Sequence, residues 1–129
     1  MLRGMRSIVL ASIVLIVLTV TPAAAHHSTA NFDMTKSVTL TGTVTYFAFT
    51  NPHSFFDMDV PDKSGAIRKY KIFTVARVVM SRSGWAVGDL KAGDEVTLIG
   101  NPDRKDASYM YLQKVTFASG KTWGRDKIF

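Results

Sequence analysis

Apolar and polar residues alternate along most of the chain, in short segments that end at turn residues. The longest such segment, 38–49, places Leu40, Val44 and Tyr46 on one face and threonines on the other. Alternation with a period of two predicts a half-buried β-strand. Gly42, in the middle of this segment, predicts a bend or bulge where a long strand curls around a small barrel.

Shorter segments of the same type predict four further strands, and one segment has helical spacing instead. In the last strand, one face is expected to carry Tyr109, Tyr111, Gln113, Val115 and Phe117. Thr74 is expected to cap the helix and Gly84 to end it. The further strands are expected at 54–60, 66–73, 95–99 and 109–117, and the helix at 75–83.

The order strand–strand–strand–helix–strand–strand determines the predicted architecture. We expect a mostly β protein, a small OB-fold-like five-stranded Greek-key barrel with one short helix between strands three and four. The barrel domain is expected at 38–129, and a polar, extended N-terminal arm at 26–37. A six-stranded open barrel and a β-sandwich have the same element content and remain alternatives at this point.

The first 25 residues have the composition of a cleavable signal peptide. Arg3 and Arg6 precede an uncharged apolar run at Ile8–Val20. The alanines at 23–25 then supply the small residues that a signal peptidase recognises. The apolar run is shorter than the roughly 20 residues that cross a bilayer. We therefore expect cleavage after Ala25, a periplasmic or secreted location, and no stable membrane anchor after cleavage.

Charge and composition restrict the possible functions. Removing the signal peptide, which carries two arginines, lowers the formal net charge from +6 to +4. The basic residues are spread out among acidic ones, whereas nucleic-acid binding needs a concentrated basic patch, so no nucleic-acid partner is expected. The chain contains no cysteine, which excludes disulfides and cysteine nucleophiles. It also lacks the motifs of serine hydrolases, phosphate-binding loops and zinc proteases, and we expect no enzymatic activity.

Three histidines are the most informative residues. Cleavage after Ala25 places His26 and His27 at the new N-terminus, and His53 lies in the turn between the first two strands. The His26 amine and imidazole, with His53 and His27 as further ligands, form a nitrogen set that suits Cu(II), an arrangement called a histidine brace. Cleavage one or two residues earlier leaves His26 at position two or three, where it still binds Cu(II). Copper is therefore the expected cofactor, and buffering or delivery of copper the expected function.

Two other interpretations use the same residues differently. The paired histidines can be incidental and His53 can simply hold a turn, which leaves a metal-free binding module for a peptide, glycan or protein partner. A third interpretation is a copper oxidase or monooxygenase.

Most aromatic residues are expected in the core, with one or two facing outwards as a stacking platform. The aromatic residues considered are Phe47, Phe49, Phe55, Phe56, Tyr70, Tyr109 and Tyr111.

Several motifs resemble those of a family of small exported bacterial proteins classed as a domain of unknown function. The motifs are His26-His27-Ser28 after the alanine-rich site, Phe32-Asp33, Leu40–Val44, Thr50-Asn51-Pro52-His53, and Gly84-Trp85 followed by Leu90–Val96. The resemblance implies export and a compact β-barrel. The chain departs from the family pattern at Phe49, where Trp is usual, and at 73–76, which replaces a Gly-Ser-Pro-Asn-like stretch.

Overall fold

The computed structural model of the protein describes residues 29–124. The predicted signal peptide, His26 and His27 lie outside these residues. Within the described range the chain forms a 3₁₀ turn, six strands and one short helix. The elements are the 3₁₀ turn Thr29–Asn31, β1 (Val38–Ala48), β2 (Phe55–Pro61), β3 (Ile67–Phe73), α1 (Arg77–Arg82), β4 (Glu95–Pro102), β5 (Tyr109–Thr116) and β6 (Thr122–Gly124).

The strands form one sheet in the order β3-β2-β1-β4-β5-β6, in which these neighbours are antiparallel. A further, parallel pairing joins 71–73 of β3 to 109–111 of β5 and closes the sheet into a barrel of five strands. The helix lies between β3 and β4 in sequence, and β6 adds a short strand beside β5. The predicted OB-fold-like barrel is thereby confirmed, and the β3–β5 pairing excludes an open barrel and a sandwich.

The barrel interior contains the alternate, apolar side chains of all five strands. Phe56, Met58 and Ile72 have no exposed surface, and neither has Met80 of α1, which packs onto them as part of one core cluster. Trp85, after the helix, contributes the largest ring of this cluster, edge-on to Phe117 with centroids 4.9 Å apart. Burying such apolar area stabilises the fold by about 25 cal/mol per Å².

A bulge in β1 reverses the predicted inward and outward positions at the end of that strand. Val44 pairs with Met58, but Tyr46 pairs with Asp57, so one residue of β1 has no counterpart in β2. Beyond the bulge Phe47 packs on the core, whereas the side chain of Tyr46 is 52% exposed. The prediction that Tyr46 shares a face with Val44 is therefore wrong, because a bulge shifts the alternation by one residue.

A second bulge has the same effect in β5. Ile99 pairs with Lys114 and Gly100 with Leu112, which leaves Gln113 as the additional residue. Leu112 is consequently buried before the bulge and Val115 after it. The single continuous face predicted for Tyr109 to Phe117 is wrong for this reason.

The helix is shorter than predicted and begins later. Ala76 is its N-cap and makes no side-chain cap, whereas Thr74 is buried and donates its backbone N–H to the carbonyl of Ser54. Gly84, with φ of 98°, follows the last turn, as expected for a left-handed residue that ends a helix. No helix between residues 29 and 124 is long and apolar enough to cross a membrane.

Candidate functional site

A cleft of about 580 Å³ lies at one end of the barrel, between two loops. The β1–β2 loop contributes Pro52 and His53, and the β4–β5 loop contributes Asp103. Phe73 of β3 and Tyr109 of β5 also line the cleft. In OB-folds the face of strands two and three and these same two loops bind ligands, so the cleft is the candidate site.

The β1–β2 loop positions His53 through a closed set of hydrogen bonds. The Ser54 hydroxyl donates to the carbonyl of Thr50 at 3.0 Å and accepts from the Thr50 N–H at 3.1 Å. Ser54 is fully buried, and the Asn51–Pro52 peptide bond within the loop is cis. These hydrogen bonds join the two ends of the loop, Thr50 and Ser54, and His53 lies between them, half-buried, at the cleft.

The N-terminal arm turns into this cleft rather than extending away from the barrel. The Asp33 N–H donates to the carbonyl of Pro102 at 2.8 Å, and the Arg104 N–H donates to the carbonyl of Asn31 at 2.9 Å. Phe32, between these two bonds, forms a β-bridge with Asp103. The arm is thus attached to the β4–β5 loop.

Thr29, at the start of the described chain, lines the same cleft as His53. It follows His26 by three residues, and adjacent Cα atoms are about 3.8 Å apart. Three residues of chain therefore reach at most about 11 Å from the Thr29 Cα. His26 and His27 lie outside the described residues, and the predicted three-nitrogen set is compatible with the chain length that connects them to the cleft.

Residues 29–124 do not form a metal site by themselves. No group of three or more His, Cys, Asp or Glu side chains in that range is arranged to hold an ion. Of the three predicted metal ligands, the structure places only His53.

Aromatic rings form much of the cleft wall. The Phe32 ring lies 6.1 Å from that of Phe73 and 5.6 Å from that of Tyr111, measured between centroids. Phe73 and Tyr109 are stacked, with centroids 5.8 Å apart and planes 15° apart. Burial raises the pKa of the Tyr111 phenol, and a phenol is protonated at neutral pH in any case, so it can donate a hydrogen bond there.

The rings continue from the cleft across the outer surface of the barrel. Phe55 pairs with Phe73 in the sheet, and their centroids are 6.4 Å apart. Tyr46 lies 5.8 Å from Phe55 on the other side. We refer to Tyr46, Phe55, Phe73 and Tyr109 as the aromatic strip. It crosses four neighbouring strands, β1, β2, β3 and β5.

Charged side chains beside the aromatic strip are paired one to one. Lys71 Nζ donates to Asp57 Oδ1 at 2.7 Å and also lies 4.3 Å from the ring centroid of Phe55. Lys69 pairs with Asp59 at 3.3 Å. These four side chains project from β2 and β3 and sum to zero formal charge, so this outer face has no basic excess.

The sequence did not predict the contributions of Phe32 and Asp103 to the cleft. Phe32 lies in a polar stretch without periodicity, and Asp103 follows a strand that was expected to end at Ile99. The prediction for the aromatic residues was partly right. Phe56 is in the core, but Phe55, Tyr109 and Tyr111 lie outside it together with Tyr46.

The closed barrel, its strand order and the position of the cleft define an OB-fold protein. The sequence profile of the family of unknown function DUF6152 matches residues 14–111, and the chain belongs to this family. The predicted resemblance to a domain of unknown function is confirmed. No curated protein matches the chain.

Solved structures with a similar fold are single-stranded DNA-binding proteins and a PriB protein. The mitochondrial single-stranded DNA binding protein Rim1 from S. cerevisiae is 9% identical with a TM-score of 0.50, covering 64% of this chain and 93% of its own. The N-terminal domain of PriB from Thermoanaerobacter tencongensis is 22% identical with a TM-score of 0.45, covering 65% and 97%. A small single-stranded DNA-binding protein from Streptomyces coelicolor is 14% identical with a TM-score of 0.42, covering 70% and 93%. At these identities the likeness concerns the fold alone.

Proposed function

We propose that the protein is an exported, periplasmic copper-binding protein that buffers or delivers the ion and catalyses no reaction. The observation that carries this proposal is that Thr29 and His53 line the same cleft. The chain that leads to the predicted mature N-terminus therefore begins beside the one histidine of the described residues. A random surface histidine would have no such relation to the N-terminus.

The proposed ligands have the chemistry that Cu(II) prefers. An α-amine has a pKa of about 7.7–8.0 and an imidazole about 6.5, so both lose their protons to a metal near neutral pH. The His26 amine and imidazole with the His53 imidazole supply three nitrogens, and His27 is a possible fourth donor. Nitrogen ligands in a tetragonal arrangement favour Cu(II) over the other divalent first-row ions.

Copper titration of correctly processed protein tests the N-terminal site. The comparison is between chains that begin at His26 with a free α-amine and the same chains with that amine acetylated. We expect acetylation to weaken Cu(II) binding at least tenfold, because the acetylated nitrogen no longer offers the lone pair that the free α-amine donates. Equal affinity of the two chains would show that copper does not use this terminus.

Substitution of His53 tests the second half of the site. We expect His53→Ala to remove one nitrogen from the copper electron paramagnetic resonance spectrum and to weaken binding. Asn51→Ala is a matched control in the same loop, since its carboxamide oxygen accepts a long hydrogen bond, 3.4 Å, from the Val78 N–H. An unchanged spectrum in His53→Ala would exclude His53 as a ligand.

Intact mass of exported protein tests location and processing together. We expect secreted or periplasmic material to begin at His26, with one copper ion bound per chain after loading. Material that starts well downstream of His27, or that retains its first 25 residues, would remove the chemical basis of the proposal.

A metal-free binding module is the second candidate, and the aromatic walls of the cleft favour it. Phe32, Phe73 and Tyr109 offer apolar surface at the position where OB-folds bind ligands. This candidate predicts that replacing His26, His27 and His53 together leaves partner capture intact. The copper proposal predicts that the same triple variant no longer binds copper.

A further inference from the structure

We infer that the aromatic strip and the cleft together bind an uncharged oligosaccharide. The inference rests on the binding-module candidate of the previous subsection and is independent of copper. OB-folds bind oligonucleotides or oligosaccharides at the corresponding face and loops. The charges and side chains of this face discriminate between those two classes of ligand.

Charge argues against a nucleic acid. The positive side chains beside the aromatic strip, Lys69 and Lys71, are each paired with a carboxylate, Asp59 and Asp57. Asp103 adds a carboxylate to the cleft, and the loop continues with the exposed Arg104, Lys105 and Asp106, so the loop also has equal numbers of acidic and basic side chains. Single-stranded nucleic acid is bound through a positively charged groove that follows the phosphates. A polyanion placed here would meet carboxylates as often as ammonium groups.

The aromatic strip suits the apolar faces of sugar rings. Tyr46 and Tyr109, at its two ends, are 52% and 40% exposed. Phe55 and Phe73 lie between them and are half-buried. Neighbouring strands are about 4.8 Å apart, so the strip offers one ring per strand over four strands. The Lys71 ammonium lies over the Phe55 ring, so an extended chain of sugar units would place its C–H groups on the exposed rings of Tyr46 and Tyr109 and so remove apolar surface from water.

Polar groups beside the rings suit sugar hydroxyls. The Asp57–Lys71 pair lies in the same cross-strand row as Tyr46 and Tyr109. Both members retain capacity for further hydrogen bonds, because a carboxylate has about four acceptor positions and an ammonium three donors. A hydroxyl both donates and accepts, and it can bond to such a pair without disturbing its charge balance.

Isothermal titration of the metal-free protein with chitohexaose and cellohexaose tests the inference. The titrations contain chelator and are run at 50 and 300 mM salt, with a single-stranded dT oligomer and an apolar peptide as comparison ligands. We expect at least one hexasaccharide to bind with an affinity that salt changes less than twofold. Tyr46→Ala and Tyr109→Ala should each weaken it about threefold to tenfold, as loss of one aromatic contact does.

Val87→Ala is the matched control, since Val87 is 80% exposed and lies outside the strip and the cleft. Thermal unfolding of each variant separates loss of binding from loss of fold. The inference is overturned if neither hexasaccharide binds, if the dT oligomer binds more tightly, or if both tyrosine variants bind sugar like the parent. Binding of the peptide alone, weakened by the tyrosine variants, would retain the binding module and exclude the glycan.

Discussion

The ring of Phe32 lies 5.6 Å from the ring of Tyr111, and this contact adds to the backbone hydrogen bonds that hold the N-terminal arm beside the cleft. If the mature N-terminus binds copper together with His53, Phe32 pre-organises the site from a distance. We predict that Phe32→Ala weakens Cu(II) binding about tenfold, because the loosened arm must be ordered again on binding. Competition with a chelator of known affinity measures the change.

Phe32→Leu is the control for this prediction, since it keeps apolar contact with Tyr111 and should recover most of the affinity. The electron paramagnetic resonance spectrum of saturated Phe32→Ala should equal that of the parent, as the ligands themselves are unchanged. Unaltered affinity in Phe32→Ala, with the effect of N-terminal acetylation intact, would show that the arm does not organise the site.

Gly42 allows β1 and β2 to approach closely. A Cβ at this position would come within 3.0 Å of a Val60 methyl and still nearer to the carbonyl oxygen of Asp59. Because a backbone carbonyl cannot move aside cheaply, we predict that Gly42→Ala lowers the free energy of unfolding by about 3 kcal/mol. Urea unfolding measures this.

Gly65→Ala provides the comparison for Gly42. Gly65 has φ of 85° and open space around it, so its substitution costs only the left-handed backbone, about 1 kcal/mol. Equal costs at the two glycines would contradict the steric explanation.

Hydrogen-bonded aspartates make stability depend on acid. The pKa of Asp94 is lowered, above all by the hydrogen bond from the Lys91 side chain. Burial raises this pKa by less, and the hydrogen bond from the Lys91 N–H lowers it further. Because the pKa of Asp94 is lower in the folded than in the unfolded protein, these hydrogen bonds stabilise the fold fully above the unfolded-state pKa of about 3.9. Their contribution is lost as the pH falls through the folded-state pKa. We predict constant stability between pH 7 and 5 and a decline below pH 4, measured by urea unfolding at each pH.

Asp94→Asn should remove part of that decline, because asparagine does not titrate. The difference in stability between parent and variant should therefore shrink as the pH falls from 5 to 2. A difference that stays constant over this range would mean that ionisation of Asp94 does not contribute to acid sensitivity.

Trp85 is almost completely buried, and its Nε1 has no hydrogen-bond partner among the described residues. An unsatisfied buried donor costs about 1–3 kcal/mol, which offsets part of the packing that the indole provides. We predict that Trp85→Phe changes the free energy of unfolding by less than about 1.5 kcal/mol, whereas Trp85→Ala costs about 3–5 kcal/mol. A Phe variant as unstable as the Ala variant would indicate that the N–H is satisfied by water.

Period-two alternation was sufficient to predict the five strands of the barrel and their order along the chain, although β4 continues to Pro102, three residues beyond its predicted end. It failed at the ends of β1 and β5, where a bulge adds one residue and moves Tyr46 and Gln113 out of phase. A bulge changes neither composition nor hydropathy, so the sequence pattern contains no sign of its position. The predicted bend at Gly42 was close, but the irregularity falls between Val44 and Tyr46.

Of the candidate site, the sequence predicted only the loop that carries His53 and its position near a ligand-binding face. The Asn-Pro-His turn placed His53 between two strands, and the OB-fold order placed that turn near a ligand face. The attachment of Phe32 and the pairing of Lys71 with Asp57 depend on contacts between residues distant in sequence. Such contacts follow from barrel closure and have no local sequence signal.

The unpaired residue between Val44 and Tyr46 has a consequence for how this family can vary. If Thr45 instead entered the ladder opposite Asp57, Tyr46 would turn inwards and Phe47 outwards, and the aromatic strip would lose one end while the core gained a phenol. Deletion of Thr45 would join Val44 directly to Tyr46 and leave both rings on their present sides, because their partners Asp57 and Phe56 alternate regularly. The extra residue can therefore be lost without cost to either face, but it cannot be drawn into the ladder.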